Sequence, residues 1–95
     1  MTNRILLVED EPDIRKTLKY NFSRESCDVI TAGSISEAEN LSSNHQVDLI
    51  ILDLMLPDGS GLDFCRSIKS DKEKKSIPVI ILTAKADEVD RVVCF

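Results

Sequence analysis

Four short apolar runs recur along the chain: Ile5-Leu6-Leu7-Val8, then Val29-Ile30 extended by Thr31, then Val47 to Leu52 broken only by Asp48, then Val79-Ile80-Ile81-Leu82. The first, third and fourth are continuous rather than alternating, the pattern of strands buried on both faces of a parallel sheet. The second is shorter and starts at Asp28, which predicts an edge strand. Between the runs the apolar spacing becomes helical. Pro12 suits a first helical turn, and Ile14, Leu18 and Phe22 then recur every four residues on one face. Tyr20 and Phe22 read as further amphipathic packing. Ser34-Ile35-Ser36-Glu37 fits a capping box, with Ser34 as N-cap, Glu37 reaching back to it, and Ile35, Ala38 and Leu41 as the buried stripe.

A third helix is expected from Ser60 or Gly61, with Leu62, Cys65 and Ile68 inward. It runs out into the charged, solvated stretch Lys69 to Lys75. Pro78 opens the fourth strand, where a missing N–H is tolerated. A fourth helix is expected after Ala86, with Val89, Val92 and Val93 on one face. Strict alternation of strand and helix implies right-handed βαβ units. The expected fold is one α/β domain over residues 1–95, a three-layer, doubly wound parallel sheet between helices.

Composition narrows the function. The 95 residues carry 12 basic and 17 acidic side chains, a formal net charge of −5, which argues against the chain itself gripping nucleic acid or an anionic membrane. No apolar run approaches the roughly 18–20 residues of a membrane helix. Cys27, Cys65 and Cys94 are odd in number and widely spaced; they read as small hydrophobes rather than metal or redox sites, and suit a reducing, cytoplasmic location. His45 reads as a solvated or helix-terminal residue rather than a metal ligand.

In an open parallel sheet, ligands bind beyond the carboxyl ends of the strands. Strand one ends in Glu9-Asp10-Glu11, strand three in Asp53, and strand four in Thr83-Ala84-Lys85. Any one acidic residue there has the plainer reading of capping a strand or decorating a helix start, Glu11 above all. Asp53 is harder to dismiss, because it directly follows Leu49-Ile50-Ile51-Leu52. Like charges crowded near it are unfavourable unless a cation intervenes. A divalent ion resolves that conflict, and magnesium takes one or two carboxylates together with phosphoryl oxygens. Asp53 is then a candidate nucleophile toward phosphorus. Thr83 could donate a hydrogen bond to a phosphoryl oxygen, or simply close a strand.

These residues resemble the receiver domain of two-component response regulators. The likeness rests on Ile5 to Pro12, Asp48 to Gly61 and Pro78 to Lys85 in that order, and it spans the whole chain. It implies a flavodoxin-like fold with strand order 2-1-3-4 in this chain, and Asp53 as acceptor of a phosphoryl group from a sensor histidine kinase. It implies Mg2+ as cofactor, bound directly by Asp10 and Asp53, by the Met55 backbone carbonyl, and through water by Glu9. Thr83 would be the switch hydroxyl, and Pro57-Asp58-Gly59 the turn into helix three. The wording around Met55 and the Glu9 variant look most like the OmpR-like class, whose members carry a C-terminal winged-helix domain, so any DNA binding would belong to a longer parent protein.

Receivers have five strands and five helices. The fifth strand, the fifth helix and the family's bridging lysine have no counterpart here, and Lys85, two residues past Thr83, reads as an exposed loop residue. The open edge of the fourth strand then suggests a homodimer or exchange of elements. Three rivals stand beside this reading. A flavin-binding domain would need a phosphate loop where Glu9-Asp10-Glu11 repels anions. An aspartate-dependent phosphohydrolase would place a carboxylate where Met55 stands. A scaffold that never carries phosphate is favoured only by the missing lysine. The chain therefore reads as a phospho-acceptor, not an enzyme in its own right.

Overall fold

The computed structural model describes residues 3–53 and 55–82. In chain order these form β1 (Arg4–Val8), α1 (Pro12–Ser23), β2 (Asp28–Ala32), α2 (Ile35–Asn44), β3 (Leu49–Asp53), β4 (Met55–Leu56), β5 (Gly59–Ser60), α3 (Gly61–Ser70) and β6 (Val79–Leu82). The expected fourth helix, with Val89, Val92 and Val93, lies outside the described residues, as do Thr83, Lys85 and Cys94.

β2, β1, β3 and β6 make one parallel sheet in that order, so the four apolar runs pair as 2-1-3-4 and β2 takes an edge as expected. Side chains alternate across it. Ile5, Leu7, Val29 and Ile51 face α1, where Leu18 and Phe22 pack on them. Leu6, Val8, Ile50, Leu52 and Val79 face the other way and form the main core with Ala38 of α2 and Phe64, Cys65 and Ile68 of α3. Three layers result, and they establish the flavodoxin-like architecture.

Several local readings need correction. Ile14 is 46% exposed and α1 buries none of its residues completely, because its first turn lies at the tip of the sheet and only Leu18 and Phe22 reach the apolar face. Tyr20 points outward and stacks under the Arg24 guanidinium, 5.8 Å from the ring centroid. The third strand begins at Leu49, with Val47 buried just before it. Phe64, which the stripe of Leu62, Cys65 and Ile68 omits, is among the largest fully buried side chains. Cys65 is wholly buried in the main core, in keeping with the reading of the cysteines as small hydrophobes. Cys27 is a free, half-buried thiol.

The helix ends follow their sequence signals closely. Ser34 caps α2, its Oγ accepting the Glu37 N–H at 3.2 Å. Glu37 reaches one residue further back than a capping box requires, accepting from the Gly33 N–H at 3.3 Å instead of from Ser34. His45 closes the same helix, its backbone N–H donating to the Leu41 carbonyl and its Nδ1 lying 3.2 Å from that oxygen. Beyond α3 the Lys69 ammonium donates to the Ile77 carbonyl at 2.7 Å, tying the charged stretch down just before β6. No helix among the described residues is long and apolar enough to cross a membrane.

Candidate metal and phospho-acceptor site

The pleat of β1 and β3 brings the acidic residues together. Val8 pairs with Leu52 in parallel register, so the next residues, Glu9 and Asp53, stand abreast at the carboxyl ends of the two central strands. The Glu9 N–H extends the ladder by donating to the Ala32 carbonyl at 2.9 Å, so Glu9 keeps strand geometry one residue past β1. Alternation then puts Glu9 after Leu7 and Asp53 after Ile51, on the α1 face.

Glu9, Asp10 and Asp53 each offer a carboxylate oxygen, and these atoms all lie within 4.8 Å of one another. Among the described residues this is the one acidic group so arranged. Glu9 is buried at 5% exposure, Asp53 is half-buried and Asp10 is exposed. The site is thus graded from a buried wall to an open mouth. The Glu9 carboxyl is pushed up to about 7, first by loss of solvent, then by the negative charge and hydrogen bonding of Asp53 and by Asp10; the Glu11 N–H, donated to Glu9 Oε2 at 3.1 Å, pulls the other way. Glu11 itself is the N-cap residue of α1, without a side-chain cap bond.

Burying one carboxylate beside two others is unfavourable unless a cation or a proton compensates. Three hard oxygen donors this close, with one side open to water, match what a divalent ion such as magnesium requires. The donor set therefore fits the cofactor expected from the sequence. Met55 starts β4 two residues beyond Asp53, so its backbone stands next to the cluster along the chain. The switch position, Thr83, lies outside the described residues.

Two supporting residues carry no signal in the sequence. Arg15, on the first turns of α1, folds back so that its Nη1 donates to the Glu9 carbonyl at 3.0 Å. Asp58 accepts the Ile35 and Ser36 N–H groups at 2.8 and 3.0 Å, which hold its carboxyl below the usual carboxylate range. Both contacts join elements that only the folded topology brings near. The turn at Pro57-Asp58-Gly59 is more ordered than expected: Met55 and Leu56 pair antiparallel with Ser60 and Gly59, forming a two-stranded ribbon between β3 and α3.

A cavity of about 640 Å³ lies far from this chemistry. It is lined by residues such as Ser42, His45, Asp48 and Pro78, at the opposite end of the sheet, where strands β3 and β6 begin. Among the described residues, the group of side chains that could hold a metal ion is the one at the carboxyl ends of β1 and β3, away from this cavity.

The chain matches the response regulator receiver domain family over residues 5–95. It is 40% identical over 92 residues to the alkaline phosphatase synthesis transcriptional regulatory protein PhoP of Bacillus subtilis, and the match covers 97% of this chain but only 38% of that protein. Among solved structures it is similar to the response regulator TrrA of Thermotoga maritima in complex with Mg(2+)-BeF, with a TM-score of 0.86 and 36% identity over 96% of this chain and 77% of that one. It is similar also to the complex of histidine kinase ThkA with TrrA, with a TM-score of 0.80 and 38% identity over 87% of this chain and 70% of the other.

Proposed function

Because the chain belongs to the response regulator receiver domain family, we propose that its acidic cluster is the phospho-acceptor centre of a two-component response regulator, with Asp53 the acceptor. The single observation that carries this is the convergence of Glu9, Asp10 and Asp53 within 4.8 Å at the ends of β1 and β3.

In this reading Asp10, Asp53 and the Met55 backbone carbonyl hold Mg2+ directly, and buried Glu9 supports it through water. When bound, the ion neutralises the carboxylates and the charge on the equatorial phosphoryl oxygens. Everything else is the work of the chain. Asp53, half-buried and fixed at the last position of β3, supplies the attacking carboxylate oxygen. That oxygen forms a P–O bond as the P–N bond to the kinase histidine breaks; the imidazole leaves with its electron pair and takes up a proton. The product is an acyl phosphate on Asp53. Thr83 completes the account as the hydroxyl that turns toward the new phosphoryl group.

The donor is a sensor histidine kinase, a proposal supported by the likeness to the ThkA–TrrA complex. Since the chain spans 38% of PhoP's length, gene regulation and DNA binding are proposed only for a longer parent protein. We place the domain in the cytoplasm, where such a kinase presents its phosphohistidine, and assign it self-phosphorylation from small donors at most. Pairing of copies through the β6 edge remains a proposal, supported by the position of β6 at the end of the sheet among the described residues.

The test is incubation with acetyl phosphate and Mg2+ followed by intact-mass measurement. The expected result is one added phosphoryl group on the wild type and none on Asp53→Asn or without the metal. An adduct of equal yield on Asp53→Asn would refute the assignment.

A further inference from the structure

Asp58 lies outside the acidic cluster, yet both its carboxylate oxygens are engaged. Oδ1 accepts the Ile35 N–H at 2.8 Å and Oδ2 accepts the Ser36 N–H at 3.0 Å. These belong to the first two residues of α2, whose N–H groups have no partner inside the helix. The next two donors are satisfied locally: the Glu37 N–H by Ser34 Oγ at 3.2 Å and the Ala38 N–H by the Ser34 carbonyl at 3.0 Å. Asp58 therefore completes the cap of a helix 22 residues earlier in the chain, with its negative charge at the favourable pole.

The same loop is pressed against that helix at the next residue. Gly59 has φ +153°, and a Cβ there would meet Ile35 Cδ1 at 3.0 Å, so a side chain at this position is both strained and crowded. On its other side the loop is anchored by the ribbon that pairs Met55 with Ser60 and Leu56 with Gly59, and by Ser60 Oγ, which accepts the Leu62 N–H at 3.2 Å and caps α3. Asp58 sits at the tip of this ribbon and Met55 at its base, two residues from Asp53.

We infer that Asp58 is a positioning residue for the metal centre: by clamping the ribbon tip to the start of α2, it fixes where the Met55 backbone carbonyl stands relative to Asp10 and Asp53. It touches neither metal nor phosphate. This rests on the proposed role of Met55 and the carboxylates, and it adds a link between α2 and the acceptor loop that the cluster alone does not contain.

The test is calorimetric titration of Mg2+ into four chains: wild type, Asp58→Ala, Asp58→Asn and Ser34→Ala. Ser34→Ala weakens the same helix start without touching the ribbon, so it reports what loss of a cap does by itself. Residues that orient metal ligands typically govern affinity about 10–100-fold. The expected result is about tenfold weaker binding for Asp58→Ala, an intermediate loss for Asp58→Asn, whose amide oxygen keeps one N–H partner, and affinity within twofold of wild type for Ser34→Ala. Thermal midpoints of the metal-free chains should fall for both Asp58→Ala and Ser34→Ala. Asp58→Ala binding as tightly as wild type would overturn the inference while leaving the metal reading intact, and so would an equal loss for Ser34→Ala. Absence of Mg2+ binding to the wild type would overturn both.

Discussion

Arg15 and Glu9 are joined by a hydrogen bond that crosses from the first helix back to the strand end, from the Arg15 guanidinium to the Glu9 carbonyl at 3.0 Å. The cation is thereby held on the Glu9 backbone carbonyl, tying α1 to the end of β1. Gly33 leaves the space for it, because a Cβ there would lie 2.6 Å from Arg15 Nη1. Arg15→Ala should cost about 1 kcal/mol of stability, the usual net worth of such a bond. Gly33→Ala should cost a similar amount by displacing the guanidinium. The two losses should not add, since they remove one contact. Urea unfolding of the single and double variants checks this; strict additivity would mean that Gly33 acts through something other than Arg15.

Glu9 makes metal-free stability depend on pH. Its folded carboxyl is raised from 4.5 to about 7, so between those values the folded state holds a proton that the unfolded chain releases. Stability is then fullest near the lower value and falls as pH rises through about 7. The thermal midpoint of the metal-free chain should drop between pH 5.5 and 7.5. Glu9→Gln, which stays neutral, should flatten the curve over that range, and saturating Mg2+ should flatten it for the wild type. A wild-type midpoint that rises with pH across this window would show that Glu9 is already ionised without metal.

Core and rim apolar residues should separate sharply. Phe64 is 2% exposed and packs at the centre of the larger core, whereas Ile14 is 46% exposed. Phe64→Ala should cost about 3–5 kcal/mol and leave the chain largely unfolded at physiological temperature, while Ile14→Ala should change stability by about 0.5 kcal/mol or less. Far-ultraviolet circular dichroism with denaturant titration distinguishes them. A loss of several kcal/mol for Ile14→Ala would mean that its side chain is covered in solution.

Much of this architecture could be read from the sequence, for a definite physical reason. Strands buried on both faces leave continuous apolar runs, so Ile5 to Val8 and Leu49 to Leu52 announced the two central strands and, by their carboxyl ends, Glu9, Asp10 and Asp53. Local signals also worked where the partner is local: Ser34 caps Glu37, and His45 closes its own helix. What escaped depends on approach through space. Arg15 bonds across a turn, and Asp58 caps a helix 22 residues upstream. Ile14 misled because period alone cannot say how far along a helix the sheet extends. Glu37 misled by one residue because its long side chain finds the Gly33 N–H as readily as that of Ser34.

The most direct measurement is anomalous diffraction from crystals of this chain grown with Mn2+ in place of Mg2+. Octahedral ligation of a small divalent ion calls for metal–oxygen distances of roughly 2.0–2.2 Å. The account predicts one peak bridging carboxylate oxygens of Asp10 and Asp53, with the Met55 carbonyl as a third protein ligand, Glu9 behind it, and no peak in Asp53→Asn. A peak held by other residues, or none at saturating Mn2+, would contradict it.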